Sequence, residues 1–259
     1  MNRYMTASSG RGKRRKRMIF YGILMIIICL FVFVCGFTCA REFAKTQAGA
    51  AKKPAGSARV NSGTQENAQT GTDASAWNLR LVNASHPIDE GYSFDITLLK
   101  NGQSVDSRIF RELQDMMDAA RSEGLSPLIC SSYRTEEKQR ALYEAKVASC
   151  MDQGDLREEA EKQAAIWVAP PGTSEHQLGL AVDIVAESYQ LLDRHQEKTA
   201  EQQWLMEHCS EYGFILRYPT DKSEMTGIGY EPWHYRYVGR EAAEEIMRRG
   251  ICLEEYLDM

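Results

Sequence analysis

An uncharged run of 23 residues, Met18–Ala40 (MIFYGILMIIICLFVFVCGFTCA), constrains this chain more than any other feature, because it follows seven basic side chains and no acid in residues 1–17. An α-helix rising about 1.5 Å per residue needs about 20 residues to cross a hydrocarbon layer of about 30 Å, so the run is long enough to span. It exceeds the roughly 7–15 apolar residues of a cleaved signal peptide, and no small-x-small cleavage site follows it. Cys35 and Cys39 follow Phe33-Val34 and Phe37-Thr38, where a lipid-attachment site needs small residues. The expectation is a retained, single-pass transmembrane helix over 18–40. Basic flanks stay on the cytoplasmic side, which places 1–17 inside and everything after Arg41 outside the cell membrane.

Residues 41–76 are rich in Ala, Gly, Ser, Thr, Gln and Asn, with too little apolar surface to fold, and read as a flexible linker. Residues 77–259 are long enough for one extracytoplasmic domain with its own core. They carry 19 basic and 33 acidic side chains, a net charge of −14, which disfavours a nucleic-acid partner. Cys130, Cys150, Cys209 and Cys252 lie in this domain without C-x-x-C spacing, so a cysteine zinc knuckle is not indicated. An oxidising compartment permits disulfides among them, with three connectivities open, and permits four buried thiols equally.

Apolar residues at Ile109, Phe110, Leu113, Met116, Met117 and Ala120 have helical spacing, with Ser107 as candidate N-cap and Gly124 as the stop. Leu128-Ile129-Cys130 reads as a strand leading into a loop at Ser131–Arg134. Helices are expected over about 135–150 and 155–168, the second with capping spacing at Asp155 and Glu158. LGLAVDIVA, FILRY and YEPWHYRYV read as strands. Thr199 and Gln202 mark a helix ending at Gly213, and REAAEEIMRRG a closing helix. Helices and strands do not alternate strictly, so the fold class is α+β, a small, mainly antiparallel sheet flanked by helices, with the N-terminal transmembrane helix added.

Two of the five histidines, His176 and His234, stand in unusual company. Asp183 is a carboxylate among Ala181, Val182, Ile184 and Val185, and burying it without a partner is expensive. A metal cation shared with His176 would supply one. Seven residues apart on one strand, His176 and Asp183 would face opposite ways, so His176 must precede the strand in a turn that Gly179 helps to make. Glu231, three residues before His234, would likewise face away on a regular strand, but Pro232 holds it extended and interrupts the ladder. Two neutral imidazoles and one carboxylate give zinc three protein ligands and leave a position for water, and a nearby free carboxylate, Glu231, can handle that water's proton. His86, His195 and His208 read as loop or surface residues.

SSYRTEEKQ, SEHQLGLAVDI and EPWHY resemble, in order and spacing, the motifs of the VanY-type D-alanyl-D-alanine carboxypeptidases, zinc peptidases related to L,D-carboxypeptidases and D,D-dipeptidases. The resemblance runs from Trp77 through the closing helix and implies the zinc D,D-peptidase, or hedgehog-like, fold. It implies that His176, Asp183 and His234 hold zinc and that Glu231 is the general base and acid. Arg134 would stabilise charge on the scissile carbonyl or hold the substrate's terminal carboxylate, Ser174 and Gln139 would hydrogen-bond the substrate, and Ser132 and Tyr133 would line the pocket. The implied reaction is hydrolysis of the last peptide bond of a peptidoglycan stem peptide, a pentapeptide for a D,D-enzyme or a tetrapeptide for an L,D-enzyme. Two rivals stand beside it. Two histidines and a carboxylate also form the facial triad of non-haem iron oxygenases, though without need of Glu231, and a non-catalytic wall-binding module could keep a structural zinc.

Overall fold

A four-stranded antiparallel sheet carries the domain, as seen in the computed structural model, which describes residues 76–258. The basic segment, the apolar run and the linker through residue 75 lie outside the described residues. Among the described residues no helix is long and apolar enough to cross a membrane. The strands are β3 (Pro127–Ser131), β4 (Ala181–Ala186), β5 (Phe214–Leu216) and β6 (His234–Tyr237), in the order β3-β4-β6-β5. A separate two-stranded hairpin, β1 (Ile96–Leu98) with β2 (Ser104–Asp106), precedes them. The fold is α+β with small antiparallel sheets.

Strand alternation decides what each face of the main sheet does. Val182 and Ile184 of β4, with Tyr235 and Tyr237 of β6 and Phe214 of β5, belong to the main core. Helix α1 (Phe110–Ser122) adds Leu113, Met116, Met117 and Ala120 to that core, so its methionines are core fillers. Each of these buried leucine and methionine side chains contributes roughly 1.5–3 kcal/mol. The intervening residues Asp183, His234 and Arg236 face the other way. Their register is direct: Asp183 pairs with His234 across β4 and β6, and with Ser131 across β3.

Three further packings complete the frame. Helices α2 (Glu136–Asp152) and α3 (Arg157–Ala165) meet through Val147, Cys150, Ala160 and Ala164. Helix α4 (Ala200–His208), capped by the Thr199 side chain, contributes Leu205 to the main core, and α5 (Ser223–Thr226) is a single turn. Helices α6 (Arg240–Arg249) and α7 (Leu253–Leu257) pack Ala243, Ile246 and Leu253 on Ile215 and Val238.

Several local expectations differ from the structure. A 3₁₀ turn over Ser107–Ile109 precedes α1, and its cap is Asp106, whose carboxylate accepts from the Arg108 N–H, in place of Ser107. Helix α3 starts at Arg157 without any side-chain cap, so the Asp155/Glu158 pairing is not used. Helix α4 stops at His208, and a 3₁₀ turn fills the distance to Gly213. The long strand expected through YEPWHYRYV is only His234–Tyr237. Glu231 through His234 form a turn closed by the His234 N–H to the Glu231 carbonyl at 3.1 Å, so Glu231 is not held in an extended strand. Cys130, Cys150, Cys209 and Cys252 are free thiols.

Gly179 joins the 3₁₀ turn Glu175–Leu178 to β4 and has φ +70°, with its N–H donating to the His176 carbonyl. A Cβ there would lie 2.5 Å from Phe94 Cε2 and 2.9 Å from the Asp106 nitrogen. Gly179→Ala is therefore expected to lower the unfolding free energy by at least about 1–3 kcal/mol, measured by urea denaturation.

Candidate metal centre

His176, Asp183 and His234 come together although they arise from a 3₁₀ turn and two strands. All three are buried, and one ligand atom from each lies within 4.8 Å of the others. Asp183 is the pivot. Its Oδ2 lies 3.2 Å from His176 Nε2, and its Oδ1 lies 3.1 Å from His234 Nδ1. The two imidazole rings stand edge to face, 4.9 Å between centroids.

The outer nitrogen of each ring is already committed. His176 Nδ1 lies 2.8 Å from the Ser132 carbonyl, an acceptor only, so the network assigns the proton to Nδ1 and leaves Nε2 bare towards Asp183. His234 Nε2 lies 3.4 Å from Glu175 Oε2, and its Nδ1 faces Asp183. A bare nitrogen pointing at a carboxylate oxygen sets two lone pairs against each other. A cation between them resolves this, and the two-histidine, one-carboxylate donor set suits zinc with a position left open.

Glu231 lies beside this trio, its Oε2 3.8 Å from His234 Nδ1. Burial pushes its carboxyl up to about 8 against the opposing His234 charge, with the Asp183 charge adding to the rise. Asp183 goes the other way: burial disfavours its charge, but His176, His234 and Arg134 outweigh burial and hold it well below the usual range. Two carboxyl groups in one site thus have opposed proton affinities, as an acid–base pair of roles requires.

Arg134 follows β3 and its guanidinium Nη2 donates to Asp183 Oδ2 at 2.8 Å. Ser131 Oγ and Gln139 Oε1 fix the rest of the fork, and Gln139 Nε2 donates to the Ala169 carbonyl. Arg134 and Ser174 line the cavity that opens on the trio, together with Tyr218 and Trp233. Gln139 and Ser132 are fully buried behind that wall. Ser132 gives its carbonyl to His176 and its hydroxyl to Gln103 Oε1, and Tyr133 packs edge-on against Phe94. His86, His195 and His208 are elsewhere, each beside an Asn, Asp or Glu of its own turn.

Sequence reasoning missed Glu175. Its side chain is fully buried, with Oε1 2.8 Å from both Arg217 Nε and Arg236 Nη1. Arg217 in turn forks onto Glu254 at 2.9 and 2.7 Å. Burial would raise the Glu175 pKa, but the two guanidinium groups hold it far below the usual range. Glu175 faces the second nitrogen of His234, 59 residues further on, and sequence adjacency to His176 gave no sign of that.

Two histidines and an aspartate that could hold a metal, with a buried glutamate alongside and a cavity in front, offer the donor set that the class of zinc-dependent peptidases uses. The family model described as VanY, D-alanyl-D-alanine carboxypeptidase, matches residues 102–240. A D-alanyl-D-alanine carboxypeptidase of Enterococcus faecalis is 46% identical over 213 residues, 79% of this chain and 78% of that protein. The structure of VanYB in complex with D-alanine-D-alanine aligns with a TM-score of 0.67 and 48% identity, over 71% of this chain and 99% of the other. A VanY D,D-pentapeptidase variant from a VanB-type resistance cassette, solved in complex with Zn(II), aligns with a TM-score of 0.65 and 48% identity, over 70% and 99%. The chain belongs to the VanY D-alanyl-D-alanine carboxypeptidase family. Neither an iron oxygenase nor a non-catalytic wall-binding module describes it.

The proton on His234 competes with the metal. Burial lowers the pKa of His234, but its hydrogen bonds with Asp183 and Glu175 outweigh that and raise it to about 9. His176 is brought down to about 4 by burial and the Arg134 charge, and is neutral in the working range. Metal uptake between pH 5 and 8 must therefore displace the His234 proton. Zinc affinity is expected to rise with pH by about tenfold per unit over that window, read by competition with a chelator at stepped pH.

Proposed function

We propose that this protein is a carboxypeptidase that hydrolyses the terminal peptide bond of peptidoglycan stem peptides ending in D-alanyl-D-alanine. The observation that carries the reading is the convergence of His176, Asp183 and His234 on one another with Glu231 against them, in a member of this family. His176, Asp183 and His234 would hold zinc. When bound, the ion supplies a Lewis acid that polarises the scissile carbonyl and acidifies water at the site.

The protein's own groups do the rest. Glu231 takes a proton from the attacking water as the new carbon–oxygen bond forms, and returns it to the nitrogen of the departing D-alanine as the carbon–nitrogen bond breaks. Its raised proton affinity suits both steps near neutral pH. Arg134, held in the cavity wall by Ser131, Gln139 and Asp183, presents a fixed positive charge to the developing oxyanion or to the substrate's terminal carboxylate. Ser174, also in the wall, offers a hydroxyl to the substrate. Gln139 serves the substrate through Arg134, and Ser132 through the His176 tautomer. Tyr133 supports the strand end that carries Arg134.

The test is incubation of the zinc-loaded full chain with defined penta- and tetrapeptide muropeptides and identification of products by mass. D-Alanine release from the pentapeptide alone supports the reading, whereas release from the tetrapeptide alone assigns an L,D-carboxypeptidase. Glu231→Gln is expected to retain zinc and to lose about 10²–10⁴-fold in kcat. Unchanged turnover in that variant would refute the role given to Glu231.

We propose further that residues 18–40 anchor the chain in the cell membrane with the peptidase domain outside. The support is the 23-residue uncharged run behind seven basic side chains. The full chain should stay in the membrane pellet after an alkaline carbonate wash, and protease added to intact spheroplasts should digest the domain. Recovery in the wash would exclude the anchor.

A further inference from the structure

The cavity on the metal centre has a volume of about 630 Å³ and extends well past the ligands. Beyond them its wall is built from Leu142, Lys146, Trp167, Leu192, Arg194 and Tyr230. Leu142, Trp167 and Leu192 are 40%, 46% and 48% exposed, a concentration of large apolar surface beside a catalytic centre. Trp167 is fixed there. The Gly229 N–H donates to the Ile166 carbonyl at 2.8 Å, and a Cβ at Gly229 would stand 2.8 Å from the indole Cζ3, so the absence of a side chain lets the ring lie on the loop.

The charges along this wall are unbalanced in a telling way. The domain carries an excess of acids, yet among the described residues neither Lys146 nor Arg194 has a carboxylate at ion-pair distance. Lys146 follows Leu142 by one helical turn and shares its face. Arg194 lies over the Tyr230 ring, 5.5 Å from its centroid. The acid next to them in the wall, Asp193, is occupied within its own turn by the Tyr189 hydroxyl and the His195 N–H. Glu197 is likewise engaged, by the Tyr230 side chain, so two cations of an aromatic and aliphatic wall are left to meet an anion that enters with the substrate.

We infer that this part of the cavity is the subsite for the substrate's stretch on the amino side of the cleaved bond, and that it selects stems carrying a free carboxylate there. Trp167, Leu142 and Leu192 pack against the aliphatic parts of that stretch, and Lys146 and Arg194 pair with the carboxylate. The inference rests on the carboxypeptidase reading above and adds what the enzyme demands of the rest of the stem.

The experiment compares three D-alanyl-D-alanine substrates on the zinc-loaded full chain: a pentapeptide with γ-linked glutamate bearing a free α-carboxylate, the same peptide with that carboxylate amidated, and a short diacetylated tripeptide. The acidic pentapeptide is expected to have a KM about tenfold below its amidated twin, through two partly exposed pairs each giving about a threefold to fivefold effect. Salt should narrow the gap. Lys146→Gln with Arg194→Gln should close it while kcat stays within about twofold. Trp167→Ala should raise KM for both pentapeptides alike. Equal KM values for acid and amide in the wild type, or a gap that survives in the double variant, would overturn the subsite while hydrolysis of the tripeptide leaves the carboxypeptidase reading standing. No hydrolysis of any of the three would overturn both.

Discussion

Asp183 sits in a strand whose every residue is buried, paired on both sides by neighbouring strands and 2% exposed. An unpartnered carboxylate there would take up a proton and lose its charge. The surrounding structure prevents this by bringing the Arg134 guanidinium and the His234 ring to its oxygens as hydrogen-bonding partners, while the bare His176 nitrogen is set where a cation can bridge it to the carboxylate. Strand register supplies His234, the turn at Gly179 supplies His176, and the chain leaving β3 supplies Arg134. The geometry of the site is thus largely the geometry of satisfying one buried charge, and the cation-binding capacity follows from what the two rings have left over once their outer nitrogens are tied down.

Much of this was legible in the chain. Alternation around Asp183 marked it as an acid embedded in apolar neighbours, and the odd spacing to His176 required a turn, which the 3₁₀ segment and the positive φ of Gly179 provide. The spacing of Glu231 and His234 was read correctly as incompatible with a continuous strand: the ladder is interrupted there, and a turn closed between the two residues leads into the strand. What was not legible depends on contacts far apart in sequence. The hairpin of β1 and β2 has three-residue strands with mixed exposure and gives no periodic signal. Gln139 and Ser132 looked like substrate contacts and lie behind the wall, a distinction of a few ångströms that spacing does not encode.

Behind the ligands lies an ion cluster of Glu175, Arg217, Arg236 and Glu254, all buried. Such a cluster contributes little net stability relative to well-packed apolar groups, yet any member left without its partners is costly. Its value is positional, since Glu175 reaches His234 only because two guanidinium groups keep it charged and oriented. Arg236 is held further by the Asn78 and Arg80 carbonyls, which ties the start of the domain to the same point.

Glu254 belongs to α7, beyond residue 240 where the family match ends. Without Glu254, Arg217 would keep Glu175 as its remaining carboxylate partner, and a partly uncompensated guanidinium would stand directly behind the ligands. Because metal capture draws on the same free energy as folding, a strained Arg217 would be felt at the ion-binding positions. A helix that touches none of the three ligands therefore helps decide how firmly the site would keep its ion, through the chain Glu254–Arg217–Glu175–His234.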